Sequence, residues 1–209
     1  PSLLGEVVTW SDPDGNAQAN TLLVYSGPNS ASRVSNEDPF YSRGSDSISD
    51  GAENWTITGS GSSVTLEINN NGKSFSKSFS GVQRVVLYGG EGDDTINASG
   101  LSGIPVYISG GSGNDTITLG ASSTSKLSTI MGDDGDDTIT VTSGWVDIEP
   151  GSDTDTIVVG TGTNNVLLES GSDTVSGGAG STTTFVFKYG FGAVDLTGMS
   201  SSAAAFIFD

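Results

Sequence analysis

The chain has 209 residues, of which 31 are glycine, and its formal net charge at pH 7 is -18. It contains no cysteine and no histidine, which excludes disulfides, thiolate metal sites and the commonest general base of enzymes. Because a strongly acidic chain is repelled by nucleic acids and anionic membranes, we expect cations as partners and no nucleic acid. The sequence has no long apolar run, so we expect no membrane span.

Residues 1–80 read as short strands joined by turns. The runs WTIT (55–58) and VTLEI (64–68) have the composition of strands, and SFSKSF and VQRVVLY continue the pattern. The intervening GSGS (59–62) and NNNG (69–72) are typical of hairpin turns. We therefore predict an antiparallel β meander that leads into the rest of the chain.

Two acidic stretches near the N-terminus could be an ion site and an early repeat, or only a turn and a loop. SDPDGN (11–16) has the composition of a turn and does not fit the spacing of an EF-hand loop, so we predict a turn rather than an ion site. GSDSI (44–48) partly repeats a pattern found later in the chain, and we interpret it as a plain loop. The chain begins at Pro1 rather than Met, so we expect a processed or excised piece of a longer product.

Five segments share one core, an aspartate followed by threonine and then by isoleucine or valine. They read GGEGDDTI (89–96), GGSGNDTI (110–117), GDDGDDTI (132–139), PGSDTDTI (150–157) and LESGSDTV (168–175). The core aspartates are 21, 22, 18 and 18 residues apart. A period of about 20 residues is typical of a solenoid, in which each unit buries its apolar side only against its neighbours.

A second set of apolar stretches alternates with these segments. It consists of IPVYI (104–108), KLSTI (126–130), WVDIE (145–149), NVLLE (165–169) and TFVFK (184–188). Each period is therefore predicted to hold two strands and two turns.

From this alternation we predict an all-β fold, a right-handed parallel β-solenoid. Its inward ladder would consist of Ile96, Ile117, Ile139, Ile157 and Val175, while the preceding threonines point outward. A β-sandwich with Asp-Gly hairpins is the alternative, but hairpins do not require one motif at five regular places.

The stacked turns would bring like charges together. Because successive coils are about 4.8 Å apart, neighbouring turn aspartates would repel by about 1–3 kcal/mol. Residues 89–175 contain 14 acidic residues and one basic residue, Lys126, so no side chain of this segment neutralises the row. The available carboxylate and carbonyl oxygens favour a hard cation, and a flexible oxygen cage suits calcium better than magnesium.

The segments GGEGDDTIN and GGSGNDTIT resemble the RTX nonapeptide G-G-x-G-x-D-x-U-x, where U is a large apolar residue. The resemblance implies a β-roll or β-helix that binds Ca²⁺ between successive turns through aspartate side chains and loop carbonyls. The metal ligands that it implies are Asp94, Asp115, Asp137, Asp155 and Asp173, carbonyls of Gly90, Gly92, Gly111, Gly113, Gly132 and Gly135, and the turn residues Asp134 and Asp153.

The sequence departs from the family pattern in two ways. Tandem nonapeptides are absent, so the resemblance implies calcium loops along one edge only. The last two loops lack glycines that the family pattern requires and carry Pro150, Asp153, Leu168 and Glu169 instead.

The C-terminal residues 185–209 are rich in phenylalanine. Because the end of a solenoid exposes strand edges and apolar core, we predict a cap or a subunit interface there. The predicted regions are therefore an entry meander (1–80), calcium-binding repeats (81–184) and an aromatic cap (185–209).

These features predict a secreted, non-enzymatic, calcium-binding structural or adhesive protein. We expect it to fold on binding extracellular calcium, to stack end to end into filaments, and to meet polysaccharides of the cell surface or matrix. Two alternatives stay open. One is a module of a polysaccharide lyase or epimerase that uses carboxylates such as Asp147 near Trp145. The other is an ice-binding surface formed by the outward threonines.

Overall fold

The computed structural model describes residues 5–11, 17–25, 51–70, 73–177, 180–199 and 204–209. These ranges contain strands and no helix, and thus no helix that could cross a membrane. GSDSI, and SDPDGN apart from Ser11, lie outside the described residues.

The strands of the described ranges form one continuous sheet that winds into about six turns of a β-solenoid. They are β1 (Gly5–Ser11), β2 (Ala17–Tyr25), β3 (Asn54–Ser60), β4 (Ser63–Asn70), β5 (Lys73–Ser80), β6 (Arg84–Glu91), β7 (Thr95–Ser102), β8 (Val106–Ser112), β9 (Thr116–Ala121), β10 (Ser128–Asp134), β11 (Thr138–Ser152), β12 (Thr156–Leu168), β13 (Ser172–Gly177), β14 (Ser181–Phe187), β15 (Ala193–Met199) and β16 (Ala204–Phe208).

Two stacks of parallel strands make the two faces of the solenoid. The first face pairs β3, β7, β9, β11, β12, β13 and β15 in that order. The second face pairs β2, β6, β8, β10, β11, β12, β14 and β16. The predicted parallel β-solenoid is therefore confirmed.

The core lies between these faces as two apolar ladders. The first-face ladder is the predicted one, with Ile96, Ile117, Ile139, Ile157 and Val175 paired in register and fully buried. The second-face ladder consists of Leu87, Ile108, Ile130, Ile148, Val166 and Phe185, also fully buried. Burial of each such side chain contributes about 1.5–3 kcal/mol to the free energy of unfolding, so the ladders are the main source of hydrophobic stabilisation between coils.

Two coils differ from the predicted pattern of two separate strands. β11 and β12 each run continuously from the first face to the second. Their coils have the short period of 18 residues, which leaves no residues for a separate connection. The chain instead bends at Gly144 and Gly162, whose φ angles of 136° and 107° favour glycine.

The N-terminal strands β3, β4 and β5 form the predicted antiparallel meander. β3 also pairs in parallel with β7, so the hairpin β4–β5 is an insertion within a coil of the solenoid. On the second face, β1 lies antiparallel to β2, and both faces therefore end in antiparallel strands on this side. Strands pair across residue 80, and the division into three regions stays a prediction.

The C-terminal strands β15 and β16 add one more coil. Phe206 stacks on Phe185 with ring centroids 5.6 Å apart, and Phe208 stacks on Phe187 at 5.1 Å. Phe206 and Phe208 are 53% and 71% exposed, so this coil leaves apolar surface open to solvent.

Candidate metal centre

The Asp/Gly turns lie along one edge of the solenoid, where the second face of one coil meets the first face of the next. Gly90, Gly111, Asp133 and Gly151 occupy equivalent positions in successive turns. All four have φ between 77° and 119°. Glycine adopts this conformation without a steric penalty, and aspartate tolerates it better than most residues do. The turn at 150–155 keeps the same form, because Asp153 adopts a φ of 84° where the earlier turns have glycine.

The five core aspartates are buried in this edge, with at most 2% of each residue exposed. In each coil the carboxylate oxygen Oδ1 accepts the backbone N–H of the equivalent residue one coil earlier. With the N–H donor named first and the Oδ1 acceptor second, the pairs are Glu53 to Asp94 (2.7 Å), Asp94 to Asp115 (2.7 Å), Asp115 to Asp137 (2.7 Å), Asp137 to Asp155 (2.8 Å), and Asp155 to Asp173 (3.2 Å). We call this row the aspartate ladder.

The second oxygen of three ladder carboxylates has no hydrogen-bond partner within the described ranges. Oδ2 of Asp115, Asp137 and Asp155 is buried there without a donor. A buried carboxylate oxygen without a donor is costly, so these oxygens are suited to contact a cation.

Glycines frame these oxygens. A Cβ at Gly132 would collide with Asp137 Oδ2 and with the carbonyl oxygen of Pro150 in the next coil. A Cβ at Gly110 would collide in the same way with Asp115 Oδ2 and would lie 2.8 Å from the carbonyl oxygen of Gly132. The glycines therefore keep a cradle in which a carboxylate oxygen and a carbonyl oxygen of adjacent coils lie close together.

The donor set of the cradle fits calcium. It contains carboxylate and carbonyl oxygens, the ligands that a hard cation takes in a flexible cage. In the described part of the chain no three acidic side chains converge as a metal cluster. Each coil contributes one buried carboxylate, so backbone carbonyls would have to complete the coordination of an ion.

Burial changes the acidity of the ladder. Desolvation, aided by neighbouring carboxylates, raises the pKa of Asp115 and Asp155 to about 7 and that of Asp137 to about 6, although a hydrogen bond from the preceding coil lowers each. Burial also raises the pKa of Asp173. Asp115 and Asp155 are therefore partly protonated near pH 7.

A second, exposed row of hydrogen bonds runs beside the ladder in the opposite direction. The N–H groups of Asn114, Asp136 and Thr154 donate to side-chain oxygens of Asp93, Asn114 and Asp136 at 2.8, 3.0 and 2.9 Å. Each of these turns is thus tied to its neighbours by side chains on both its inner and its outer side.

The structure separates two predicted ligands from the rest. Asp134 and Asp153 have exposed side chains and lie outside the buried aspartate ladder. Their neighbour Asp133 is half-buried and accepts a hydrogen bond from Ser109 Oγ at 2.5 Å.

One member of the edge was missed by the sequence analysis. Glu53 is fully buried, and its carbonyl accepts the N–H of Thr95 just as the Asp94 carbonyl accepts that of Thr116. Gly51 lies against Gly92 of the next coil. The signal was present as Gly51-x-Glu53-x-Trp55, which matches the G-x-D-x-U half of the repeat with glutamate in place of aspartate.

Stacked coils with an acidic, glycine-framed edge define a calcium-binding β-solenoid. The family model of the RTX calcium-binding nonapeptide repeat matches the chain in four copies, at residues 82–100, 107–123, 128–144 and 150–183. Residues 82–183 are therefore RTX repeats, and such repeats bind calcium. Comparisons with curated proteins and with solved structures give no match.

Proposed function

We propose that the aspartate ladder holds calcium ions between successive turns and that this binding completes the fold. The observation that carries the proposal is the buried, donor-free Oδ2 of Asp115, Asp137 and Asp155 beside glycine-framed carbonyls. Calcium supplies the positive charge that this row of oxygens lacks.

The ligands proposed are those of the repeat pattern. They are side chains of Asp94, Asp115, Asp137, Asp155 and Asp173, with carbonyls of Gly90, Gly92, Gly111, Gly113, Gly132 and Gly135. Asp134 and Asp153 have exposed side chains, and we assign them the weaker role of adding negative charge beside the same turns.

The chain's own residues couple the edge to folding. The ladder carboxylates hold adjacent coils through backbone N–H groups, and in their charged form they repel one another in a buried row. In the absence of a cation, ionisation of the row lowers the stability of the stacked coils. Binding free energy then appears as folding free energy.

A calcium titration followed by far-UV circular dichroism tests this proposal, with magnesium as the control ion. We expect the β signal to rise with micromolar to millimolar calcium, to fall with chelator, and to respond weakly to magnesium. A chain that shows the same spectrum and the same urea midpoint in chelator and in calcium would refute coupled folding and binding.

We further propose that the protein acts outside the cell as a non-catalytic structural or adhesive module. Extracellular calcium modules have dissociation constants of about 0.1–1 mM, a range that matches sites built from one carboxylate per coil and neutral carbonyls. Isothermal titration calorimetry measures this affinity directly. A dissociation constant below about 0.1 μM, as in cytosolic buffers, would contradict extracellular use.

The C-terminal coil is the surface that we propose for self-association. Within the described residues β15 and β16 pair on one side only, and Phe206, Ile207 and Phe208 are each about half exposed or more. The opposite end finishes in antiparallel strands, which makes it a poorer partner for stacking. Sedimentation with calcium and with chelator tests association, and Phe208→Ser should dissociate the assembly. A monomer in both conditions would rule it out.

A further inference from the structure

The outer surface of the second face carries two ranks of side chains that run across the coils. Outward residues of adjacent strands pair in register. The first rank has one member on each of five strands, from β8 to β14, and the second has one on each of seven, from β6 to β16. The first rank is Tyr107, Thr129, Asp147, Asn165 and Thr184, and the second is Tyr88, Ser109, Met131, Glu149, Leu167, Val186 and Ile207. Ser109 is buried, and the others are half-buried or exposed. We call them together the outer ranks.

Two concavities lie along the outer ranks. One, of about 420 Å³, is lined by Tyr88, Tyr107 and Met131 with acidic residues of the turns. The other, of about 360 Å³, is lined by Asp147, Glu149 and Asn165 with apolar residues further along. Both volumes lie in the range of about 300–1,000 Å³ that is typical of ligand sites. Seven strands separated by about 4.8 Å make the combined surface roughly 30 Å long, which suits an extended polymer.

The groups in the concavities are of the kind that bind sugar rings. The rings of Tyr88 and Tyr107 lie 6.0 Å apart at 57°, so they present a ring face and a ring edge side by side. Asn165 Nδ2 donates to Asp147 Oδ1 at 2.6 Å, and Ser109 Oγ donates to Asp133 in the first concavity. These hydrogen bonds fix two carboxylates in orientation, and oriented carboxylates accept hydrogen bonds from hydroxyl groups.

The charge of the concavities restricts the class of ligand. Among the described residues, their linings include carboxylates, among them Asp133, Asp147 and Glu149, and no lysine or arginine. We expect an anionic polymer such as a polyuronate to be repelled by these carboxylates, because no basic group among the described lining residues offsets their charge. A neutral chain with many hydroxyl groups meets donors, acceptors and aromatic surface without that penalty.

We propose that the outer ranks bind a neutral, hydroxyl-rich polysaccharide chain that lies across the coils. This inference deepens the adhesive role proposed above by naming its surface and its ligand class, and it does not depend on which groups coordinate calcium.

Affinity electrophoresis of the full chain in calcium tests the inference. The probes are two neutral polymers, laminarin and hydroxyethylcellulose, and one anionic polymer, hyaluronan. We expect at least one neutral polymer to retard the protein and hyaluronan to have no effect. Tyr107→Ala and Asp147→Ala should each weaken the retardation about tenfold, because each removes a group from a different concavity.

Thr138→Ala is the matched control, since Thr138 is exposed on the first face of the solenoid. It should leave retardation unchanged. Circular dichroism in calcium checks that each variant is folded, so loss of binding is separated from loss of calcium-dependent structure. The inference would be overturned if neither neutral polymer retards the protein or if hyaluronan retards it more strongly. It would also be overturned if Tyr107→Ala and Asp147→Ala are both retarded as strongly as the parent chain.

Discussion

Oδ1 of Asp137 accepts a hydrogen bond from the backbone N–H of Asp115 at 2.7 Å, although the residues are 22 positions apart in the sequence. The same carboxylate exposes its second oxygen to the glycine-framed cradle. One side chain therefore serves two purposes, since one oxygen joins two coils and the other supplies negative charge. Substitution can separate them.

Asp137→Asn should separate the two purposes. Asparagine keeps the acceptor Oδ1 and removes the buried charge, so in chelator the free energy of unfolding should be equal to or above that of the parent chain. In calcium the variant should lose much of the stabilisation that the parent gains. Urea unfolding with and without calcium measures both quantities.

Asp137→Ala is the comparison for that experiment. Alanine leaves the N–H of Asp115 without its acceptor, which costs about 1–3 kcal/mol in either condition. If asparagine and alanine destabilise the calcium-free chain equally, the coil-joining hydrogen bond contributes nothing to stability.

The acidity of the ladder predicts an unusual dependence of stability on pH. The pKa of Asp115 and Asp155 is about 7 in the folded chain and that of Asp137 about 6, all above the ordinary value of 3.8. The folded chain therefore binds more protons than the unfolded chain between these values. The resulting stability is complete below the unfolded pKa and is lost as pH rises through about 6–7.

Metal-free protein should thus be more stable at about pH 5 than at about pH 7.5, as measured by urea unfolding. Excess calcium should flatten or reverse this trend, because the cation replaces protons on the ladder. The triple variant Asp115→Asn, Asp137→Asn, Asp155→Asn controls for general charge repulsion and should show a smaller slope. A metal-free chain that gains stability over this pH interval would contradict the raised pKa values.

Gly110→Ala should damage the calcium edge by filling the cradle. Its Cβ would collide with Asp115 Oδ2 and would lie 2.8 Å from the Gly132 carbonyl oxygen. We expect a loss of about 1–3 kcal/mol in the free energy of unfolding, together with weaker calcium binding by calorimetry. Ser112→Ala, two residues further in the same turn, should change both quantities little. Equal effects of the two substitutions would show that the cradle is not specific.

Asn164→Val should stabilise the protein. Asn164 is fully buried in the core, and neither its Oδ1 nor its Nδ2 has a hydrogen-bond partner within the described ranges. Its equivalent one coil earlier is Val146, which shows that the position accepts valine. Removal of the unsatisfied amide should raise the free energy of unfolding, measured by urea unfolding, by about 1–3 kcal/mol. Asn165→Val is the control, because it breaks the bond to Asp147 on the surface and should not stabilise.

The apolar ladder and the row of aspartates could be predicted from the sequence, because both follow from strict repetition of Asp-Thr-Ile. A strand places alternate residues on opposite sides, so the isoleucines had to point inward together. What repetition did not indicate is that the carboxylates are buried and that Oδ1 is held by a backbone N–H of the neighbouring coil. That contact depends on register between coils, which no single period of the sequence encodes.

The coil that contains Glu53 was missed for a different reason. The spacing from Glu53 to Asp94 is 41 residues, because the hairpin β4–β5 lies between β3 and β6. A search for a period of about 20 residues therefore fails at this point. Glutamate in place of aspartate and tryptophan in place of isoleucine concealed the motif further.

Between Glu53 and Asp173 the coils differ in length only at the edge opposite the aspartate ladder. There the chain passes directly from face to face in β11 and β12, takes a few extra residues between β7 and β8 and between β9 and β10, and takes a complete hairpin between β3 and β6. The acidic edge meanwhile keeps its register from Glu53 to Asp173. In these coils one edge thus fixes the geometry of the stack and the other accommodates insertions, which makes the exposed residues 124–126 a natural position for grafting a foreign loop.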